Sequence, residues 1–171
     1  TVTVWKSSLH GSLESLRAGI GRAGAVDCYT SLNRPKARQH VNGRFCKALR
    51  NADFEKITRF VIDLDPVRPT GTNSTAAELQ RAVELGGKVA DFFAGFGWPA
   101  PVAACSGNGR HLVYRINLNC NPEVIAAQKR LYARLAEVFA DPQVMFDRKV
   151  CNAGRIWRLY GTKNRKGEHS D

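Results

Sequence analysis

Two aspartates at the end of an apolar stretch have the types and spacing of a metal site. The segment 58–65 reads T-R-F-V-I-D-L-D, in which β-favouring residues lead into Asp63 and Asp65. Alternate side chains of a strand share a face, so the two carboxylates would lie side by side, about 6.5 to 7 Å apart. A divalent cation such as Mg²⁺ or Mn²⁺ would relieve their repulsion and bind substrate phosphates as well. The alternative is that the pair is solvated, or paired with Arg59 or Arg68.

A second cluster, S-G-N-G-R-H, runs from Ser106 to His111. Gly107 and Gly109, on either side of Asn108, allow a tight hairpin with positive φ and a close approach of the backbone to a ligand. Ser106 and His111 would flank this turn and offer a hydroxyl and an imidazole N–H to the same point, which suits a triphosphate. The alternative is an ordinary type I′ hairpin with a surface histidine.

The third cluster begins at Asp147, a carboxylate that follows the apolar residues 144–146. Asp147 would be the third ligand of a two-cation site, because three carboxylates, two cations and the phosphates of a nucleotide nearly balance in charge. The alternative is an ordinary aspartate at a turn. Basic residues follow within a short distance, and they could clamp phosphates while the aromatic residues among them stack on a base, or Trp157 could belong to the core. These residues are Arg155, Arg158, Lys163, Arg165 and Lys166, with Trp157 and Tyr160.

Composition favours a nucleic-acid partner. The chain has 171 residues and a formal net charge of +11, an excess that suits a polyanion. No apolar run is long enough to span a membrane and no signal peptide is recognisable, so no membrane partner is expected. Basic residues are dense between positions 34 and 59, where Arg34, Lys36 and Arg38 are candidates for phosphate contacts, although a solvated helical face is the alternative.

The cysteines predict free thiols rather than a metal site. Five are present without a C-x-x-C pair, so no structural zinc is expected in this span, and a reducing cytosol is the default compartment. The length suits one domain or two closely fused lobes. Because residue 1 is threonine and the chain stops in a polar tail, we expect a single catalytic domain, 1–171, from a longer protein.

The elements that would carry these clusters alternate long helices with antiparallel hairpins, which favours an α+β fold. Predicted strands lie at 1–5, 25–32, 58–65, 102–106, 111–117, 144–147 and 155–160, and predicted helices at 9–20, 75–95 and 121–139. The second helix starts with a capping box of Thr75 and Glu78, and the third with Asn121-Pro122. Their predicted buried stripes are Leu79, Val83, Val89, Phe92, Phe93 and Phe96 in one, and Val124, Ile125, Gln128, Leu131, Leu135 and Val138 or Phe139 in the other.

The order of these motifs resembles the archaeo-eukaryotic primase superfamily, the primase-polymerases often encoded by phages, plasmids and bacterial defence loci. The resemblance rests on V-I-D-L-D, then S-G-N-G-R-H, then F-D, and then R-I-W-R-L-Y-G-T-K-N-R-K-G, with Y-T-S-L-N and D-P-V-R-P-T-G around the first aspartates. It spans roughly residues 28 to 167. The resemblance implies an α/β lobe joined to an RRM-like lobe of mostly antiparallel strands, with the site between them.

Residue roles follow from the resemblance position by position. Asp63, Asp65 and Asp147 match the metal-binding carboxylates of the family, with two Mg²⁺ or Mn²⁺ ions as cofactors. The nucleotide contacts implied are Ser106, Gly109, His111, Arg158 and Lys163, and the nucleic-acid contacts expected are Arg34, Lys36, Arg38, Arg165 and Lys166.

The function implied is template-directed nucleotidyl transfer by a DNA primase or polymerase. Its partners would be a single-stranded DNA template, a primer and NTP or dNTP substrates, with a helicase or another replication domain in the same or another chain. A cytoplasmic, prokaryote, phage or plasmid setting is expected. Two alternatives stay open, a non-catalytic nucleic-acid-binding module of a replication initiator and a metal-dependent nuclease.

Overall fold

The computed structural model describes residues 29–36 and 49–162, together with positions 14 and 18, which are helical. In chain order the strands are β1 (Tyr29–Ser31), β2 (Lys56–Pro66), β3 (Val102–Cys105), β4 (Arg110–Asn119), β5 (Val144–Phe146) and β6 (Ile156–Arg158), and the long helices are α1 (Ala76–Gly95) and α2 (Pro122–Val138). The predicted strand 1–5 and the basic tail lie outside the described residues, as does the predicted helix 9–20 apart from those two positions.

The described strands form two antiparallel sheets, so the predicted α+β fold is confirmed. The larger sheet has the order β3-β4-β2-β5, and the smaller one pairs β1 with β6. Strand β2 is the longest and has neighbours on both sides, which fits its nearly continuous burial from Phe60 to Leu64. Two separate sheets are consistent with the predicted two-lobed core.

Helix α1 begins as predicted, with reciprocal hydrogen bonds between Thr75 and Glu78. Its buried residues are Ala82, Leu85, Gly86, Val89 and Phe93, at helical spacing against the sheet. The predicted stripe was therefore wrong at Val83, Phe92 and Phe96, which are exposed. The error was to follow the large aromatic residues. The ring of Phe92 contacts those of Phe96 and Phe139, and both Phe92 and Phe96 remain exposed.

Helix α2 is capped by Asn121, whose side chain accepts a hydrogen bond from the Val124 amide, and Pro122 occupies its first turn. Its buried residues are Ile125, Gln128, Tyr132 and Leu135. Leu131 is exposed, against prediction. Of the two residues predicted at the end of the stripe, Val138 is exposed and Phe139 is partly buried against the core. Tyr132 was missed and is one of the central core residues. No helix in the described part of the chain is long and apolar enough to cross a membrane.

Phe60 on β2 is the centre of the aromatic core. Its ring lies 5.0 Å from that of Tyr132, and the Tyr132 hydroxyl donates a 2.7 Å hydrogen bond to the Val61 carbonyl. Further rings at 5.8 to 6.2 Å from Phe60 are those of Trp98, Phe93 and Tyr114. Helices α1 and α2 are thereby fixed to the central strand at the residues just before the aspartates.

The two faces of β2 have different neighbours. A Cβ built on Gly86 of α1 would lie 3.6 Å from Leu64 Cδ1, so α1 packs closely on the face that Leu64 occupies. Side chains alternate along a strand, so Asp63 points to the opposite face.

The buried side chain of Asn33 joins three parts of the chain. Its Nδ2 donates to the Ala153 carbonyl at 3.2 Å, and its Oδ1 accepts from the amides of Thr58 at 2.8 Å and Arg59 at 3.2 Å. Asn33→Ala should lower the free energy of unfolding by about 2 kcal/mol, because the buried bond to the Ala153 carbonyl and the part-buried bonds from the Thr58 and Arg59 amides are all lost. Urea denaturation measures this change.

Asn119→Ala is the matched control. Asn119 is exposed and accepts a hydrogen bond from the exposed Lys56 ammonium, so its replacement should change stability by less than about 0.5 kcal/mol. Equal losses for the two variants would contradict the role assigned to Asn33.

Candidate functional site

Asp63 and His111 face each other across neighbouring strands. They are Cα partners in the β2–β4 ladder, and they are only 8% and 4% exposed. Asp63 Oδ1 lies 3.2 Å from His111 Nε2, but it has no well-aligned hydrogen bond within the described residues. Because His111 is buried, the alternative of a surface histidine is wrong. The buried Asp63 Oδ1 can still accept a hydrogen bond or bind a cation beside the imidazole.

The other ring nitrogen of His111 contacts the third sequence cluster. Nδ1 lies 2.8 Å from the Tyr160 hydroxyl, and the Trp157 ring meets the imidazole edge to face at 5.1 Å. Burial, and secondly the charge of Asp63, raise the pKa of Tyr160 to about 12, so its hydroxyl keeps its proton at neutral pH. As placed, Nδ1 lies at hydrogen-bond distance from Tyr160 and Nε2 lies against Asp63, so a phosphate would reach the ring only after one of these contacts is released.

Asp65 lies directly over the glycine-rich turn. A Cβ built on Gly109 would lie 2.5 Å from Asp65 Oδ1 and 2.6 Å from the Leu64 carbonyl oxygen, distances that real side chains do not show. Positive φ, in contrast, occurs at Gly107, with φ +95°. The two glycines thus serve different needs, since Gly107 makes the turn and Gly109 allows its backbone to approach the aspartate.

The turn is also attached to the segment that leads into α1. The buried side chain of Asn108 accepts a hydrogen bond from the Ser74 amide at 2.9 Å, and the Asn108 carbonyl accepts one from the Ser74 hydroxyl at 2.6 Å. Sequence reasoning missed this contact, because nothing in the pattern around Ser74 distinguishes it from other polar loop residues. The Ser74–Asn108 contact fixes the turn, and with it Gly109, against Asp65.

Asp147 is brought next to Asp63 through the backbone. Its amide donates a 3.0 Å hydrogen bond to the Asp63 carbonyl. The Asp147 carboxylate accepts from the Lys149 amide at 2.7 Å and from Arg155 Nη2 at 3.2 Å. The third predicted acid therefore lies at the same end of the sheet, with its side chain bonded to residues that follow it.

Whether these acids fit a divalent cation depends on which of them is considered. Asp63 and Asp65 supply hard oxygen atoms from one face of one strand, and Asp63 Oδ1 is buried with no hydrogen bond from any described residue, which fits such an ion. In the described part of the chain, however, no group of three acidic, histidine or cysteine side chains is close enough to hold a metal ion. Asp147 would have to leave Arg155 to join, so its role as a ligand stays a prediction.

The remaining predicted site residues are spread more widely. Ser106 is half-buried, and its amide donates to the Gly109 carbonyl at 3.0 Å. Arg158 is buried, with its guanidinium over the Tyr29 ring at 5.1 Å and bonded to the Tyr29 hydroxyl, so it would have to leave Tyr29 to reach a phosphate. Its partner strand, β1, carries the Y-T-S portion of the Y-T-S-L-N motif.

The predicted basic contacts are only partly covered by the structure. Arg34 and Lys36 are exposed beyond β1, and the Lys36 ammonium donates to the Ala52 carbonyl at 3.2 Å. Arg59 and Arg68, the alternative partners of the aspartates, donate to backbone carbonyls, Arg59 to Thr58 and Arg68 to Pro66 and Thr72. Four predicted residues lie outside the described part, namely Arg38, Lys163, Arg165 and Lys166.

Part of this chain is similar to a protein of known structure. No protein-family model and no curated protein matches the chain. Among solved structures, it is similar to the polymerase domain of Mycobacterium tuberculosis Ligase D in complex with DNA, with 20% sequence identity and a TM-score of 0.44. The similarity covers 66% of this chain and 41% of that one, so the chain spans less than half the length of that neighbour.

Proposed function

We propose that this chain is a template-directed nucleotidyltransferase, a DNA primase or polymerase that joins nucleotides from their triphosphates to a 3′-hydroxyl. The observation that carries the proposal is the meeting of three sequence clusters around Asp63. His111 lies opposite Asp63 on the neighbouring strand, and the Asp147 amide donates a hydrogen bond to the Asp63 carbonyl. These clusters come from distant parts of the chain and appear in the order that resembles the primase-polymerases.

Asp63 and Asp65 are the residues that would hold a divalent cation, with Asp147 joining them if its carboxylate leaves Arg155. The chemistry that such a cation supplies when bound is a lower pKa of the attacking hydroxyl and stabilisation of charge on the triphosphate. Carboxylates without basic side chains would repel a triphosphate. The site therefore needs cationic and hydrogen-bonding groups around the acids.

Some of the hydrogen-bonding groups needed lie near the acids in the structure. The backbone of the turn lies beside Asp65 at Gly109, Ser106 donates its amide to the Gly109 carbonyl, and His111 lies beside Asp63. A hydroxyl and an imidazole N–H there would orient phosphate oxygens once His111 exchanges a protein contact for a substrate contact. The net charge of +11 would hold the DNA backbone in a salt-dependent manner.

Primer extension tests the proposal against its two rivals. A 5′-labelled primer on a longer template, incubated with the protein, Mn²⁺ and the four dNTPs or NTPs, should lengthen, and its added sequence should complement the template. A chain-terminating nucleotide should stop growth after one complementary addition. Shortening of the primer would instead identify a metal-dependent nuclease, and binding without any change in length a non-catalytic module. Either result would refute the proposed function.

A further inference from the structure

Tyr160 is the point at which the third sequence cluster contacts the other two. Its hydroxyl lies 2.8 Å from His111 Nδ1, while Nε2 on the other side of the ring lies 3.2 Å from Asp63 Oδ1. The imidazole is thus held between a phenol and a carboxylate, and it is 4% exposed. Trp157 closes a further side of the ring at 5.1 Å.

The charges around the ring determine which nitrogen carries the proton of a neutral imidazole. A bare nitrogen facing the Asp63 carboxylate would place two electron pairs against each other, so Nε2 is the protonated nitrogen. Nδ1 is then an acceptor and needs a donor. Tyr160, whose hydroxyl keeps its proton because burial raises its pKa to about 12, is the donor in contact.

We propose that Tyr160 is a positioning residue, which holds His111 in the tautomer protonated at Nε2 and aims that N–H at the edge of the site beside Asp63. Its effect on substrate rests on the proposed function, since His111 would present this N–H to a nucleotide phosphate once its contact with Asp63 is exchanged for one with substrate. Its effect on the ring does not, because the tautomer is a property of the protein alone. Fixing a histidine through its second nitrogen is a general means of orienting such side chains.

The chain supplies two matched tyrosines as controls. Tyr114 lies on β4, is 1% exposed, and its hydroxyl has no hydrogen-bond partner within the described residues. Tyr132 is equally buried, and its hydroxyl donates to the Val61 carbonyl rather than to a site residue. Replacing each tyrosine by phenylalanine removes the same hydroxyl oxygen. In Tyr160→Phe the lost hydroxyl contacted His111, and in Tyr132→Phe it bonded to a backbone carbonyl. In Tyr114→Phe it had no hydrogen-bond partner among the described residues.

The first measurement is a two-bond ¹H–¹⁵N correlation spectrum of the histidine rings at neutral pH without divalent cations, with His111 assigned by its loss in His111→Gln. We expect wild-type His111 to show a proton on Nε2 and a hydrogen-bonded Nδ1. Tyr160→Phe should move the Nδ1 resonance towards that of a nitrogen without a hydrogen bond, while the other two variants leave His111 unchanged. A wild-type proton on Nδ1, or an unchanged spectrum in Tyr160→Phe, would overturn the proposal.

The second measurement is steady-state nucleotide incorporation with Mg²⁺. Tyr160→Phe should raise the KM for the nucleotide about 10-fold with a smaller change in kcat, as is typical when a residue that orients a ligand is lost. Tyr132→Phe should lower stability without this KM change. An unchanged KM in Tyr160→Phe would overturn the positioning role. Absence of incorporation by the wild type, together with the expected spectra, would refute the proposed function and leave the tautomer assignment standing.

Discussion

Asp63→Asn is expected to lower the rate of nucleotide incorporation at least about 100-fold while the protein remains folded. Asparagine keeps the size of this buried side chain but removes the negative charge that a divalent cation requires. Asp63 Oδ1 has no hydrogen bond to lose within the described residues, so little of the effect should come from unfolding. Single-turnover primer extension measures the rate, and circular dichroism checks the fold.

The variant should bind DNA as tightly as the wild type or more tightly, because a negative charge near the phosphates has been removed. Asp91→Asn is the matched control, since Asp91 lies exposed on α1 and its replacement changes the net charge by the same amount. Asp91→Asn should leave incorporation unchanged. Incorporation by Asp63→Asn at the wild-type rate would show that Asp63 takes no part in the chemistry.

Gly109→Ala should lower the free energy of unfolding by about 3 kcal/mol and remove most of the incorporation activity. The new methyl group would meet the Leu64 carbonyl oxygen at 2.6 Å, and neither that backbone nor the turn can yield without moving β2 against β4. It would also meet Asp65 Oδ1 at 2.5 Å, which displaces one of the two acids. Thermal or urea denaturation gives the stability change.

Gly87→Ala is the control, and it should change the free energy of unfolding in the opposite direction. Gly87 is exposed in the middle of α1, and a Cβ built there has no atom within 4 Å. Alanine should therefore stabilise the protein by about 0.5 to 1 kcal/mol, since glycine costs more conformational entropy in a helix. If Gly109→Ala were as well tolerated as Gly87→Ala, the close packing of the turn on Asp65 would not exist in solution.

Local sequence patterns predicted the elements well where the signal lies within a few residues. The apolar run before Asp63, the Thr75 capping box and the Asn121 cap each correspond to an observed strand or helix start. Burial was predicted less well. Tyr132 was missed because its hydroxyl makes it look like a surface residue, yet Val61 offers a buried carbonyl that satisfies it.

The candidate site depends on contacts that a sequence does not specify. Spacing alone put Asp63 and Asp65 on one face, but the partner of Asp63 is set by the register of β2 against β4, and a shift of one residue would bring a different side chain opposite it. The Tyr160 contact to His111 spans 49 positions. The ion pair between Arg155 and Asp147 was not predicted, because the sequence pattern assigned Arg155 to substrate phosphates and Asp147 to a metal ion.

The contact between Ser74 and Asn108 separates the connection from β2 to α1 into a part that lies away from the site and a part that is bonded to it. Residues 67–72 are mostly exposed, and their side-chain hydrogen bonds, from Arg68 to the Pro66 and Thr72 carbonyls and from Thr72 to the Pro69 carbonyl, shape the loop without reaching the site. Ser74, in contrast, is held in place by two hydrogen bonds to Asn108. Any displacement there is passed through Asn108 to Gly109 and so to the carboxylate of Asp65, which makes an unremarkable loop serine a determinant of where an acid lies.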